Sequence, residues 1–573
     1  MHVSLLDSGR FLALPLCVAA LALTGCRDPE VVDESGTEGS TGTGGSTTVG
    51  DDDGTADETG SETGDPIDLD VVPPPGGMRR LTPGQYVDSV ELMLGEAAAE
   101  AARPPSLPQL GSFDSQTAAI EPLTPVDIEQ YESSAMAIGA AVAGTPAPLA
   151  LLATCINVSQ DDACYTSIAQ ELGRYAWRRP LDDTEIETLA SIGRAGREWA
   201  GGDFFSGVRY EVAAVLQSPN FLYVMEVGQP TDEGGRQLDP YELASRLSFF
   251  LLGRTPDLAL LDRAAADELS TTAQIEAVAT ELIERPEART RLSEFFDELY
   301  HLRDLKTKGK DQELFPLFTP ELAQAMRQET LLLLQNVVFE EQSSFLNVFD
   351  ASYTFVNDDL AALYGLAPPA FPWQLVPLPV EQGRAGFLTQ GAFLSVYSHP
   401  DINSPTRRGL FVQETLLCTD IQPPPPEVNP MPPAPVEGQT LREWLEETHN
   451  VEGCAACHSL MDPAGFAFER FDPTGAFRQL DNGVTIDSTG EIGGLGSFAN
   501  AAELAGLIRN DPRTPNCVVR NLYRSTLGHR EGAGQSQGIN ALDTSFTDTD
   551  YDFKALMVEL TLNPLFRLVD APK

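Results

Sequence analysis

The sequence is short of histidine, of positive charge and of any apolar run long enough to cross a membrane. It has six His in 573 residues and 37 Lys and Arg against 85 Asp and Glu, for a net charge of −48. With so few cations there is no basic stripe to neutralise phosphates, so nucleic acid is not an expected partner. The surplus of carboxylates is read as solubility rather than as a surface for one cationic partner. Zinc-peptidase HExxH is missing, which removes the residues that hydrolytic chemistry needs. The run Gly493-Gly494-Leu495-Gly496 lacks the strand, lysine and helix of a phosphate loop. Period-two alternation is scarce too, so long strands are not expected.

What is present begins with an export signal. Arg10 supplies the positive start, and Phe11 to Leu23 form an apolar stretch too short to span a bilayer comfortably. Leu23-Thr24-Gly25-Cys26 closes residues 1–26 and resembles the bacterial lipobox, which implies an acylated Cys26 as mature N-terminus. Each buried methylene contributes roughly 0.8 kcal/mol, so several acyl chains hold a protein to a membrane stably. An ordinary cleaved signal with a chance Cys is the other reading. Residues 27–77 carry fourteen acids against Arg27 and almost nothing apolar, and are expected to be a solvated, self-repelling tether. The expected location is the cell envelope, lipid-anchored to a bacterial membrane on its outer-membrane or periplasmic side.

Beyond the tether, one helix-start signal recurs: Thr82-Pro83 before Gln85, Asp182 before Glu185, Asp239-Pro240 before Glu242, and Thr319-Pro320 before an apolar run. A short polar side chain there accepts from exposed N–H groups, and Pro suits the first turn. Leu243, Leu247, Phe250 and Leu251 follow at helical spacing, as do Leu322, Met326, Leu333 and Val337. The fold class expected is mainly α: a multi-domain helical body with one small CxxCH-bearing segment, little β, and a small hairpin near Val484 to Ile492. Proline and glycine breaks divide it into helical modules at 78–145, 146–228 and 236–368, a CxxCH-bearing module at 380–482 and a C-terminal helical module at 483–573. Ile421 to Pro435 reads as an extended spacer leading into the CxxCH segment. At this length one core is not enough, and three or more domains are expected.

Six cysteines remain once Cys17 and Cys26 are assigned to the signal and anchor. Cys155 and Cys164 are close enough for a local disulfide, and Cys418 and Cys517 are then left for a long-range bridge. Cys454-Ala455-Ala456-Cys457-His458 carries the most specific chemistry. Two thiols one helical turn apart add to the two vinyl groups of haem, and the adjacent His reaches the iron. Three other readings of these residues stand beside it: a redox dithiol, a zinc site short of its fourth ligand, and a strained structural disulfide.

The order of short motifs then becomes informative. Met78-Arg79-Arg80-Leu81, Trp177-Arg178-Arg179-Pro180-Leu181, Gln217-Ser218-Pro219-Asn220-Phe221 and Ala244-Ser245-Arg246-Leu247 come first. Tyr353-Thr354-Phe355-Val356-Asn357, Ser398-His399-Pro400-Asp401, Ser404-Pro405 with Arg408-Gly409, and Asp462-Pro463-Ala464-Gly465-Phe466 follow. The series resembles a family of exported bacterial cytochrome-c-like proteins built from five consecutive domains of unknown function. The resemblance implies little about activity.

A covalent haem c is therefore the expected cofactor, on Cys454 and Cys457 with His458 as proximal ligand. For the distal position His399 leads, ahead of Met431, His449 and His529; Met461 and Met557 are poorly placed in sequence. Arg407, Arg408 and Arg478 are candidates to fork onto the propionates, with plain surface salt bridges as the alternative. Asp462 and Asp487 are read as turn residues. The expected role is electron transfer to a redox partner or the haem component of an oxidoreductase. A surface binding or scaffolding lipoprotein, its CxxCH segment a staple, is the alternative.

Overall fold

The computed structural model describes residues 71–571 apart from 109, 232–234, 423–437 and 452. The export signal, Cys26, most of the acidic tether, Pro423 to Pro426 and Met431 lie outside the described residues. No described helix is long and apolar enough to cross a membrane.

Each of the four helix-start signals begins a helix. Thr82 caps α1 (Pro83–Leu94), ahead of α2 (Pro125–Gly144) and α3 (Asp162–Trp177). Asp182 caps α4 (Asp183–Trp199), which is followed by α5 (Phe204–Gln217). Asp239 caps α6 (Pro240–Leu251), and Thr319 caps α8 (Pro320–Gln335) beyond α7 (Pro286–Leu299). Thr82, Asp182 and Asp239 complete capping boxes with Gln85, Glu185 and Glu242, so two exposed N–H groups are satisfied reciprocally at each start. The described body is mainly helical, with strands confined to small sheets.

Two large cores organise these helices. The first is built from α1 to α5 around Tyr86, Tyr165 and Phe221, and the Cys155–Cys164 disulfide lies at its edge. The second runs from Leu238 to Val569 and takes in Val71 and Phe113 besides, so the segments 236–368, 380–482 and 483–573 share one interior. The reason is visible at the C-terminus: Leu568–Val569 pairs antiparallel with Arg236–Gln237, returning the last helices to the start of the second core. The break at Gly228–Gly235 falls between the two cores, whereas the break at Ala367–Pro379 lies within the second. Strand β1 (Gly77–Arg80) pairs with β2 (Tyr223–Glu226), and nearly buried Arg246 joins Glu226 at 2.8 Å while donating to the Phe566 carbonyl at 2.7 Å.

The CxxCH region is carried by four short helices: α9 (Gly391–Val396), α10 (Pro405–Phe411), α11 (Leu441–His449) and α12 (Ala455–Phe466). A π turn, Val412–Leu416, extends α10. The Cys418–Cys517 disulfide then ties the end of this turn to α13 (Arg513–Leu527), 99 residues on in sequence. Leu441 and Leu445 of α11 pack with Phe466 of α12 in a small separate cluster. In place of one hairpin at Val484 to Ile492, two form. Leu480–Asp481 pairs with Val484–Thr485, and Gly490–Ile492 pairs with Gly496–Phe498. Asn482 and Gly483, at φ 47° and 81°, supply the left-handed conformations the first turn requires.

Candidate functional site

Helix α12 starts just after Cys454, and Cys457 and His458 fall in its first turns. Its depth is set by glycine. α10 and α12 cross so closely that a Cβ on Gly409 would lie 1.8 Å from the Met461 carbonyl oxygen, and one on Gly465 would lie 1.9 Å from that of Pro405. Backbone meets backbone at both points, which no larger residue permits. From the π turn, Gln413 Nε2 donates to the Leu460 carbonyl at 2.8 Å.

Cys454 and Cys457 are free, half-buried thiols, whereas the other four described cysteines are paired in the two disulfides. Helical geometry brings Asp462 one turn beyond His458 on the same face. The Asp462 side chain is 7% exposed, and both of its oxygens lie 3.2 Å from His458 Nδ1. Oδ2 also meets His449 Nδ1 at 2.6 Å, and Oδ1 accepts from Thr406 Oγ1 at 2.7 Å. The two imidazoles lie face to face, centroids 3.5 Å apart and planes 33° from parallel. Burial pushes the Asp462 carboxyl up, but the hydrogen bonds from His449, His458 and Thr406 together hold it below its ordinary range.

This arrangement corrects the reading of Asp462 as a turn residue: it is inside α12, and Pro463, which has no N–H to donate, is accommodated in the same helix. Asp487 is elsewhere, exposed and paired with Arg442 at 3.3 Å. The signal for Asp462 was available as the His458–Asp462 spacing of four on a helix. Nothing in the local sequence pointed His449 at the same carboxylate, because α11 reaches it through tertiary packing.

The remaining predicted residues fall in different settings. Arg408 is fully buried and donates to the carbonyls of Phe468, Leu394, Phe471 and Asp472 and to Asn403 Oδ1, at 3.0 to 3.4 Å. Its guanidinium is committed to closing the turn after α12, so it is not an exposed fork for a propionate. Arg407, its neighbour, is exposed. Arg478 pairs with Glu469 at 3.1 Å and Asp481 at 2.9 Å. His399 lies in the turn between α9 and α10; its N–H donates to Ile402 O at 2.9 Å and its carbonyl accepts from Lys310 Nζ at 3.0 Å. Burial and nearby Arg407 push its imidazole below the usual value. Lys310, also donating to Ser395 O and Ser398 Oγ, is itself pushed down to about 7 by burial. His529 hydrogen-bonds the Arg530 carbonyl at 2.9 Å, and Met557 is buried in the second core.

Among the described residues, the ligand atoms of His449, His458 and Asp462 form a group with all separations within 4.8 Å, and His399 does not join it. The donor set at the head of α12 fits a covalently held haem. The two thiols are unoxidised and neighbour the imidazole, and His458 Nδ1 is engaged by a carboxylate, which leaves Nε2 as the nitrogen free to ligate.

Fold and site together define a mainly helical, disulfide-braced body that presents one thiol pair and a histidine–carboxylate cluster on a pinned helix. Three family models match it: PSD5, protein of unknown function (DUF1595), over residues 164–226; PSD4, protein of unknown function (DUF1592), over 238–366; and PSCyt3, protein of unknown function (DUF1588), over 384–481. The chain carries these three domains in that order, and they are families of cytochrome-c-like multi-domain proteins. Cys454, Cys457, His458, His449 and Asp462 all lie within the DUF1588 match. No curated protein and no solved structure matches the chain.

Proposed function

We propose that this chain is a cell-envelope lipoprotein, anchored through Cys26, that carries one c-type haem on Cys454 and Cys457 with His458 as axial ligand. Its role is to pass electrons to a redox partner or to serve as the haem-bearing component of an oxidoreductase. The observation that carries the reading is the state of the cysteines: the CxxCH pair alone is unbridged among the described cysteines, next to an imidazole whose Nδ1 is already held. Haem supplies one-electron chemistry at iron tuned by its axial ligands. The chain's own part is to hold both thiols on a helix that cannot shift and to fix the His458 tautomer through Asp462.

Expression with the c-type maturation machinery should give a thioether haem in the alkaline pyridine spectrum at one per chain. Cys454→Ala with Cys457→Ala should abolish it. Colourless wild-type protein would overturn the reading. The second reading is a bare metal ion held by His449, His458 and Asp462, favoured by their mutual distances. It requires stoichiometric metal without porphyrin. For the anchor, Cys26→Ser should move the protein from the membrane to the soluble fraction, and continued retention would reject it.

A further inference from the structure

Asp462 has more donors than a carboxylate needs for local capping. Three side chains from three elements converge on it: Thr406 from α10, His449 from α11 and His458 from α12. The contact to His449, at 2.6 Å, is shorter than the pair of 3.2 Å contacts to His458. The group is 7% exposed, so its charge is poorly screened by water. Sharing is therefore the central feature: whatever negative charge Asp462 spends on His449 and Thr406 is not spent on His458.

We propose that Asp462 is the positioning residue for His458, fixing Nδ1 as the donor nitrogen and strengthening the imidazole as an iron ligand, and that His449 sets how strongly it does so by competing for the same carboxylate. The inference rests on the haem reading above. An anionic acceptor behind an axial imidazole makes it a stronger donor and favours the oxidised metal, whereas a neutral acceptor does so less. His449 draws Oδ2 toward itself and so moderates this effect. Because its ring lies against that of His458, a phenyl ring at position 449 keeps the stacking and removes only the competing hydrogen bond.

The two residues therefore predict shifts of opposite sign in the reduction potential of the haem-loaded protein, read by spectroscopic redox titration. Asp462→Asn should raise the reduction equilibrium about tenfold, which is 59 mV for a one-electron couple. His449→Phe should move it the other way, because Asp462 then turns wholly to His458 and Thr406. Should Asp462→Asn fail to mature, Thr406→Val tests the same sharing from the third donor and should also lower the potential. Wild-type protein without haem overturns the proposed function and this inference together. Haem-loaded protein whose potential is unmoved in these variants, or moved in one direction by both Asp462→Asn and His449→Phe, overturns the inference alone. A merely structural Asp462 would lower the melting temperature and leave the potential in place, which counts against it.

Discussion

The two disulfides differ elevenfold in the length of chain they close, and that difference sets a measurable ladder of stability. Cys418 and Cys517 are 99 residues apart, and Cys155 and Cys164 only 9. Closing a loop in the unfolded chain removes entropy that grows with the logarithm of its length. The relation assigns about 4.7 kcal/mol to a loop near 100 residues and about 2.7 kcal/mol to one near ten. Replacing both cysteines of the long bridge by Ala should therefore cost about 2 kcal/mol more than doing so at the short bridge. The bridges also belong to different cores, so the losses should appear in different parts of the unfolding profile: Cys155–Cys164 at the edge of the first, Cys418–Cys517 beside the second. Guanidinium unfolding of the purified protein, followed by circular dichroism without reductant, gives both midpoints and slopes. Equal losses, or a larger loss at Cys155–Cys164, would refute the loop-entropy reasoning and assign the stabilisation to local packing.

Three further outcomes follow from particular residues. Glu329 is fully buried, with Thr354 and Tyr364 hydroxyls at 2.6 and 2.7 Å, and burial raises it from 4.5 to about 7 against their pull. Its folded value lies above its unfolded one, so its contribution is complete below pH 4.5 and is lost as pH rises through about 7. At about 1.4 kcal/mol per unit this is roughly 3 kcal/mol, and Glu329→Gln should remove that decline relative to wild type in stability curves between pH 4.5 and 8; parallel curves would reject it. Gly465→Ala should destabilise by about 1–3 kcal/mol or more by forcing α10 and α12 apart, read as a lowered thermal midpoint. Arg408→Met strands buried carbonyls and should cost about 3–5 kcal/mol in chemical unfolding, while exposed Arg407→Ala should stay within about 0.5 kcal/mol; similar values would refute the burial argument.

Much of the fold was legible because its signals are local. Thr82, Asp182, Asp239 and Thr319 cap helices through side chains that reach N–H groups within three residues, which is the range at which sequence speaks most directly. The double hairpin was half legible: Asn482-Gly483 is a strong turn pair, but strands this short carry almost no alternation. The shared second core was not legible, because it depends on Leu568–Val569 finding Arg236–Gln237 across more than three hundred residues. Within the site, Cys454, Cys457 and His458 stand out by spacing alone. Arg408 was misread because an Arg pair in an acidic chain looks like a surface feature, whereas carbonyls from two separate segments, 394 and 468–472, are what draw it inside. His449 was legible only as one of few histidines; that it stacks on His458 is a consequence of how Leu441 and Leu445 of α11 pack on Phe466 of α12.

The two glycines at the crossing of α10 and α12 have a mechanical consequence. A helix seated backbone on backbone behaves as an anvil: it cannot roll or slide by a fraction of a turn without carbonyl oxygens colliding. Any adjustment around the first turn of α12, when a group is attached or its charge changes, is therefore taken up by α11, whose buried apolar contact to α12 is a small cluster of its own Leu441 and Leu445 with Phe466. The site is built as one fixed jaw and one compliant jaw, and hydrogen exchange should find the compliance in 441–449 rather than in 455–466.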